Sequence, residues 1–293
     1  MQFLVLNSDN LALNLCEIVE FWGYWHFSYL SLLMKIFFFF VFLYLLVCLY
    51  IYYNQESFIF YPDILPDDYE FIHFGDTAKE IYYQPSSDVK LHALKFPVPN
   101  PKGVILYFHG NARALDNWGY IAAELLPNGY DIVLPDYRGY GKSKGVRSEK
   151  NLFKDARYIF DQLTAQYGAN NVVVYGRSLG SGIASSLAAE VTPKLLILET
   201  PYYSIGRLAA EQMRFLPTSI LLTYKFRSDL FLPKVKCPIY IFHGTEDELI
   251  PYQHAVDLKA LIPSIDFTTL PGASHNNLSQ FPLFNEKIET ILK

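Results

Sequence analysis

The sequence predicts an α/β fold, a mostly parallel sheet with helices on both faces and a small helical cap, preceded by one transmembrane helix. Three observations predict it. Residues 36–53 carry no charged side chain and are almost wholly Phe, Leu, Val and Tyr. Beyond Val104, short and nearly uninterrupted apolar runs alternate with amphipathic segments, the pattern of strands covered on both faces by helices. Between them lies Gly176-Arg177-Ser178-Leu179-Gly180, a G-x-S-x-G placed between a strand and a helix start.

The apolar segment comes first. At about 1.5 Å per residue, residues 36–53 span roughly 27 Å, close to the hydrocarbon thickness of a bilayer. Core helices of soluble proteins are seldom apolar on every side for this length. The run ends in Tyr50-Ile51-Tyr52-Tyr53 rather than in small residues, which favours a retained anchor over a cleaved signal peptide. Val47 before Cys48 argues against a lipoprotein signal. Lys35 precedes the segment and the first basic residue after it is Lys79, so the flanking charge favours an inside amino terminus and an extracytoplasmic catalytic domain. Residues 1–33 carry no domain signal. Met34-Lys35 resembles the natural start of a signal anchor, and the expectation is that translation begins there. The expected organisation is a 1–33 extension, a 34–56 anchor and one domain over 57–293.

Candidate strands follow in order: Glu70–Phe74, Ile81–Gln84, Lys90–Phe96, Val104–His109, Asp131–Asp136, Val172–Tyr175, Leu195–Glu199, Ile239–His243 and Phe267–Leu270. The early ones have no helices between them and predict an antiparallel edge; the later ones predict a parallel remainder. Candidate helices are Asn117–Leu126, Asn151–Tyr167, Leu179–Ala189, Gln253–Leu261 and Pro282–Leu292. In the second of these Leu152, Ala156, Ile159, Phe160 and Leu163 share one face. Residues 201–235 interrupt the alternation and are apolar for a connection, so they predict a small cap near the carboxyl edge of the sheet.

Composition excludes several classes. A net charge of −5, without clustered Lys and Arg among aromatics, does not suit nucleic-acid binding. Three cysteines, Cys16, Cys48 and Cys237, form neither a disulfide framework nor a metal pattern, and no metal site is expected. Gly141-Lys142-Ser143 matches the end of a P-loop, but Asp136 stands where its first glycine is required. Gly139-x-Gly141 lacks the third glycine of a dinucleotide fingerprint, so no nucleotide is expected.

The chemistry resides in the G-x-S-x-G. A sharp strand-to-helix turn exposes the Ser178 hydroxyl, and the crowding two residues either side requires Gly176 and Gly180. A serine hydroxyl needs a base. Of seven histidines, His275 stands in a loop after the last strand and before the last helix, whereas His109 and His243 end strands and suit loop geometry. The base needs an acid, for which Asp247, after Ile239–His243, is the first candidate and Glu199 the second. The order Ser178, Asp247, His275 is the one such folds use. Oxyanion donors are expected from the Leu179 amide and, after Gly110, the Asn111 amide.

His109-Gly110-Asn111-Ala112, Asp136-Tyr137-Arg138-Gly139-Tyr140-Gly141, the Ser178 elbow, Glu199-Thr200-Pro201, the Asp247 loop and Gly272-Ala273-Ser274-His275 resemble the α/β-hydrolase superfamily. Within it they look most like the Bem46-like and serine aminopeptidase (S33)-like branch, whose members are often membrane-anchored. The resemblance covers about residues 57–293. It implies the α/β-hydrolase fold with an eight-stranded sheet, and hydrolysis of ester, thioester or amide substrates through an acyl-enzyme, without cofactor. Arg177 stands where many relatives carry histidine, which is compatible with the Bem46-like branch. Ser178 excludes a dehalogenase, which needs a carboxylate at the elbow. The competing class is a non-catalytic membrane receptor or adhesion module on the same scaffold. Aromatic residues and the anchor point to lipid-like substrates beside the bilayer.

Overall fold

The computed structural model describes residues 8–293, which divide after Asn54 into two units. The first is carried by one helix, α1 (Ser8–Ile59), whose end belongs to the second. Its part from Tyr29 to Ile59 is long and apolar enough to cross a membrane. Phe37, Phe38, Phe39 and Phe40 all face outward, so apolar surface covers every side of the helix there. The helix continues through Met34 without a break and reaches back to Ser8; residues 1–7 of the expected extension lie outside the described residues.

The second unit is built on an eight-stranded sheet. Its strands are β1 (Lys79–Ser86), β2 (Val89–Phe96), β3 (Val104–Phe108), β4 (Asp131–Pro135), β5 (Val172–Arg177), β6 (Leu195–Glu199), β7 (Ile239–Gly244) and β8 (Asp266–Leu270). They lie in the order β8-β7-β6-β5-β3-β4-β2-β1. From β8 to β4 every pairing is parallel, and β2 is antiparallel to both β4 and β1. The central strands are apolar throughout because both faces are covered. Val104, Leu106 and Phe108 of β3 enter one core with Val172 and Val174 of β5; Ile105, Tyr107, Val173 and Tyr175 enter the other.

Helix α2 (Glu149–Tyr167) begins where Ser148 Oγ accepts the Asn151 amide at 3.1 Å, and ends at Gly168, whose φ of +81° few other residues adopt cheaply. It buries Leu152, Ala156, Ile159, Phe160 and Leu163 on the first core, and each large side chain contributes about 1.5–3 kcal/mol by leaving water. Ile159→Asp would place a charge there and break that packing. Helix α3 (Leu179–Glu190) lies in the same core, and residues 179–188 are all buried.

Two expected elements differ. Glu70–Phe74 is not a strand: residues Ile72–Thr77 form a 3-10 turn, with Thr77 Oγ1 donating to the Phe74 carbonyl. Its apolar Phe71, Ile72 and Phe74 imitate a strand, yet Phe71 is buried against the His92 ring, 5.3 Å between centroids, while the chain curls away. Asn117–Leu126 is broken into Leu115–Trp118, Ile121–Leu125 and a 3-10 turn. Gly119 sits at the break, where a Cβ would press on the Phe74 ring.

Between β6 and β7, residues 201–235 form α4 (Ile205–Gln212), the short helices Thr218–Leu221 and Ser228–Phe231, and a closing 3-10 turn. Tyr202 and Phe226 seat this insertion on α3, where a Cβ on Gly182 would overlap Tyr202. The insertion is also tied to Gln55 and Glu56. Gln55 Oε1 accepts from the Thr223 amide at 2.7 Å, and Glu56 Oε1 accepts from Tyr224 Oη at 2.6 Å. Helices α5 (Gln253–Leu261) and α6 (Pro282–Leu292) complete the unit.

Candidate active site

Parallel strands bring their carboxyl ends, and the loops after them, to one edge of the sheet. The loops after β3, β5, β7 and β8 meet there. Ser178 follows β5 with φ +51° and ψ −117°, a conformation L residues rarely hold. The neighbouring glycines explain how it persists. A Cβ on Gly176 would stand 2.5 Å from the Gly180 carbonyl oxygen, and one on Gly180 would overlap the Phe108 carbonyl. The Ser178 amide donates to the Glu199 carbonyl at 2.9 Å, which ties the turn to β6.

Ser178 Oγ lies 3.0 Å from Nε2 of His275, and Nδ1 of His275 lies 2.8 Å from Oδ2 of Asp247. His275 and Asp247 are buried while Ser178 is half-buried. Since Asp247 accepts at Nδ1, the hydrogen resides there and Nε2 is left free to take a proton from Oγ. Oδ1 of Asp247 accepts from the Leu249 and Ile250 amides at 2.9 and 2.8 Å. Burial pushes the Asp247 carboxyl up, but the bonds from His243, His275 and Ile250 outweigh it and hold the group well below the usual carboxylate range.

Glu199, the second candidate acid, is engaged elsewhere. Its Oε1 is 3.1 Å from Nε of Arg177, and its Oε2 accepts from Tyr175 Oη at 2.8 Å. Arg177 Nη2 donates to the His275 carbonyl at 3.3 Å and to Asn276 Oδ1 at 3.2 Å. Burial pulls the Arg177 guanidinium down, yet Glu199 more than compensates and keeps it charged. This link between elbow and histidine loop was not read from the sequence; the departure from histidine at position 177 was its one signal.

Of the two expected oxyanion donors, Leu179 directly follows Ser178 and Asn111 follows Gly110. Leu179 opens α3, whose first amides have no partner within the helix. Asn111 lies in the loop after β3, where a Cβ on Gly110 would stand 3.7 Å from Ser178 Cβ. Asn111 Oδ1 accepts from the Tyr61 amide at 3.2 Å. His243, assigned to loop geometry, donates from Nε2 to the Ile250 carbonyl at 2.9 Å and also reaches Asp247.

The P-loop-like stretch has structural partners: Lys142 Nζ is 2.7 Å from Glu80 Oε2, and Ser143 Oγ donates to the Asp136 carbonyl. Among the described residues no three His, Cys, Asp or Glu side chains are grouped to hold a metal ion.

Comparison with known proteins agrees with this architecture. A family model described as serine aminopeptidase, S33 matches residues 99–231, which hold Asn111 and the Ser178 elbow but not Asp247 or His275. The α/β-hydrolase domain-containing protein aho-3 of Caenorhabditis elegans is 32% identical over 203 residues, 67% of this chain and 59% of that protein. Lysophosphatidylserine lipase ABHD12 of Macaca fascicularis is 34% identical over 174 residues, 51% of this chain and 43% of that protein. The chain thus spans about half the length of the curated relatives it matches. The Pyrococcus furiosus esterase Pf2001 superposes with a TM-score of 0.64 at 18% identity, covering 79% of this chain and 98% of that one, which shows a shared fold. The Est1E structure from Butyrivibrio proteoclasticus with ferulic acid bound does so at 0.62 and 20%, covering 72% and 97%. With the fold, the strand order and these sequence matches in agreement, the chain belongs to the α/β-hydrolase superfamily.

Proposed function

We propose that this protein is a membrane-anchored serine hydrolase that cleaves ester, thioester or amide bonds through an acyl-enzyme. The observation that carries the reading is the pair of distances at His275, 3.0 Å to Ser178 Oγ and 2.8 Å to Asp247 Oδ2. His275 Nε2 takes the Ser178 proton as Oγ attacks the substrate carbonyl. The carbonyl oxygen becomes an oxyanion facing the Asn111 and Leu179 amides, and Asp247 stabilises the imidazolium. His275 then gives the proton to the leaving group as the acyl–leaving-group bond breaks. Water, deprotonated in turn by His275, hydrolyses the acyl-Ser178 ester and restores the hydroxyl.

The substrate class we infer is a lipid-like acyl ester. The apolar helix ending at Ile59 keeps the domain beside a bilayer, and one relative bears the name lysophosphatidylserine lipase. Lys35 just before the uncharged run 36–53, with no basic residue after that run until Lys79, favours a domain on the extracytoplasmic side. The test is a nitrophenyl-ester series of increasing acyl length on wild type and Ser178→Ala. Wild type should turn over and the variant should not; equal hydrolysis by both would remove Ser178 from the mechanism.

A further inference from the structure

The loop after β3 holds an unbroken run of bonded carbonyls. The His109 oxygen accepts from Tyr137 Oη at 2.6 Å, and the Gly110 oxygen from His109 Nδ1 at 2.7 Å. The Asn111 oxygen accepts from Tyr140 Oη at 2.6 Å, and the Ala112 oxygen from Trp118 Nε1 at 2.7 Å. Four successive peptide oxygens, the last in the two-residue strand Ala112–Arg113, are therefore each taken by a side chain. No peptide bond in the described chain is cis, and in a trans peptide the C=O and the following N–H point in opposite directions. Fixing the Gly110 carbonyl therefore fixes where the Asn111 N–H aims.

The His109 ring is packed among aromatic neighbours. A carbonyl oxygen can only accept, so the hydrogen is on Nδ1. Nε2 lies 3.3 Å from Asp136 Oδ1 with no hydrogen bond between them, and both side chains are fully buried. The Tyr137 ring lies against the imidazole at 4.3 Å between centroids and the Trp118 indole at 5.6 Å. We propose that His109, with Tyr137, Tyr140 and Trp118 completing the collar, is a positioning residue that pre-aims the Asn111 amide at the oxyanion. The proposal rests on the hydrolase reading above and adds what orients its donor. A donor already aimed when the charge develops needs no reorganisation at the barrier, and it strengthens in the transition state more than in the bound substrate.

The test uses the full-length protein in detergent, with His109→Phe, His109→Asn and Tyr140→Phe. Phenylalanine keeps the ring and removes the donor; asparagine puts an amide nitrogen where Nδ1 stood; Tyr140→Phe removes one hydroxyl. The readouts are kcat and KM on a nitrophenyl ester, and the inhibition constant of a trifluoromethyl ketone with the same acyl group, which forms an oxyanion on Ser178. His109→Phe should lower kcat about tenfold to a hundredfold, part of what losing a whole oxyanion donor costs. Its KM should hold within about twofold while ketone affinity falls in step with kcat/KM. His109→Asn should recover most of the loss, and Tyr140→Phe, the fallback if His109→Phe does not fold, should weaken the ketone a few-fold. Wild-type kcat and ketone affinity in His109→Phe would overturn the proposal, as would equal losses in His109→Asn and His109→Phe, which would mark a packing role only. A wild-type enzyme that neither hydrolyses the ester nor binds the ketone would instead overturn the hydrolase reading beneath it.

Discussion

His243 and His275 address the same oxygen of Asp247, whose Oδ2 lies 3.1 Å from Nε2 of the first and 2.8 Å from Nδ1 of the second. With the Leu249 and Ile250 amides on Oδ1, the carboxylate has one orientation left to it. His243 is the last residue but one of β7 and is wholly buried, so it braces the acid from the sheet side.

Removing that brace should cost rate before it costs binding. His243→Phe is expected to lower kcat on small esters about tenfold, well short of what neutralising the triad acid does, with KM little changed. Steady-state kinetics on the purified variant checks it. A wild-type kcat would mean that the amides alone hold Asp247.

Acid should destabilise the fold through the same group. The folded Asp247 carboxyl is held below its ordinary range, so its contribution is complete above the unfolded value near ~4 and is lost as pH falls towards the folded one. Denaturant midpoints for wild type and Asp247→Asn should therefore differ most near neutrality and converge below about pH 4. A gap that stays constant down to the acid limit would contradict the lowered carboxyl.

The two acids near the site should separate cleanly. Asp247→Asn is expected to lower kcat by about four powers of ten with modest loss of stability, since the wrong imidazole tautomer is then favoured. Glu199→Gln removes the charge opposite half-buried Arg177 and should cost stability by about 3 kcal/mol, while kcat falls far less. Thermal melts and ester kinetics on both variants read this directly; reversed effects would make Glu199 the triad acid.

Much of this was legible in sequence where a local rule governs. The strands at Val104–Phe108, Val172–Arg177 and Leu195–Glu199 are buried on both faces, so their apolar runs are visible without neighbours. The elbow is legible because two glycines and a serine are demanded by backbone crowding alone. Glu70–Phe74 was misread because its apolar residues are satisfied by packing such as that of Phe71 on His92, a contact from another strand. The bonds from Tyr137, Tyr140 and Trp118 to the loop after β3 join residues up to 29 positions apart, and no local pattern announces them. The same holds for Arg177 and Glu199, which meet across a strand pair.

The tie between Gln55, Glu56 and the 221–224 segment sets where the anchor can be removed. Protein lacking residues 1–54 should be soluble and keep small-ester activity, because those two side chains remain. Cutting two residues further in should lower the melting temperature by about 2–4 °C, as expected for about 1 kcal/mol in a domain of this size. Fractionation and melting curves of both truncations check it. Equal melting temperatures would show that the contacts add nothing, and full-length protein released by salt alone would refute a spanning helix.

The central claim is that Ser178 is a nucleophile activated by His275, and one measurement tests it most directly. The full-length protein in detergent is treated with a fluorophosphonate probe, and the labelled peptide is located by mass spectrometry in wild type, Ser178→Ala and His275→Ala. The expected result is one adduct on Ser178 in wild type, none in Ser178→Ala, and labelling slowed by several powers of ten in His275→Ala. An unlabelled wild type, or an adduct that persists in Ser178→Ala, would contradict it.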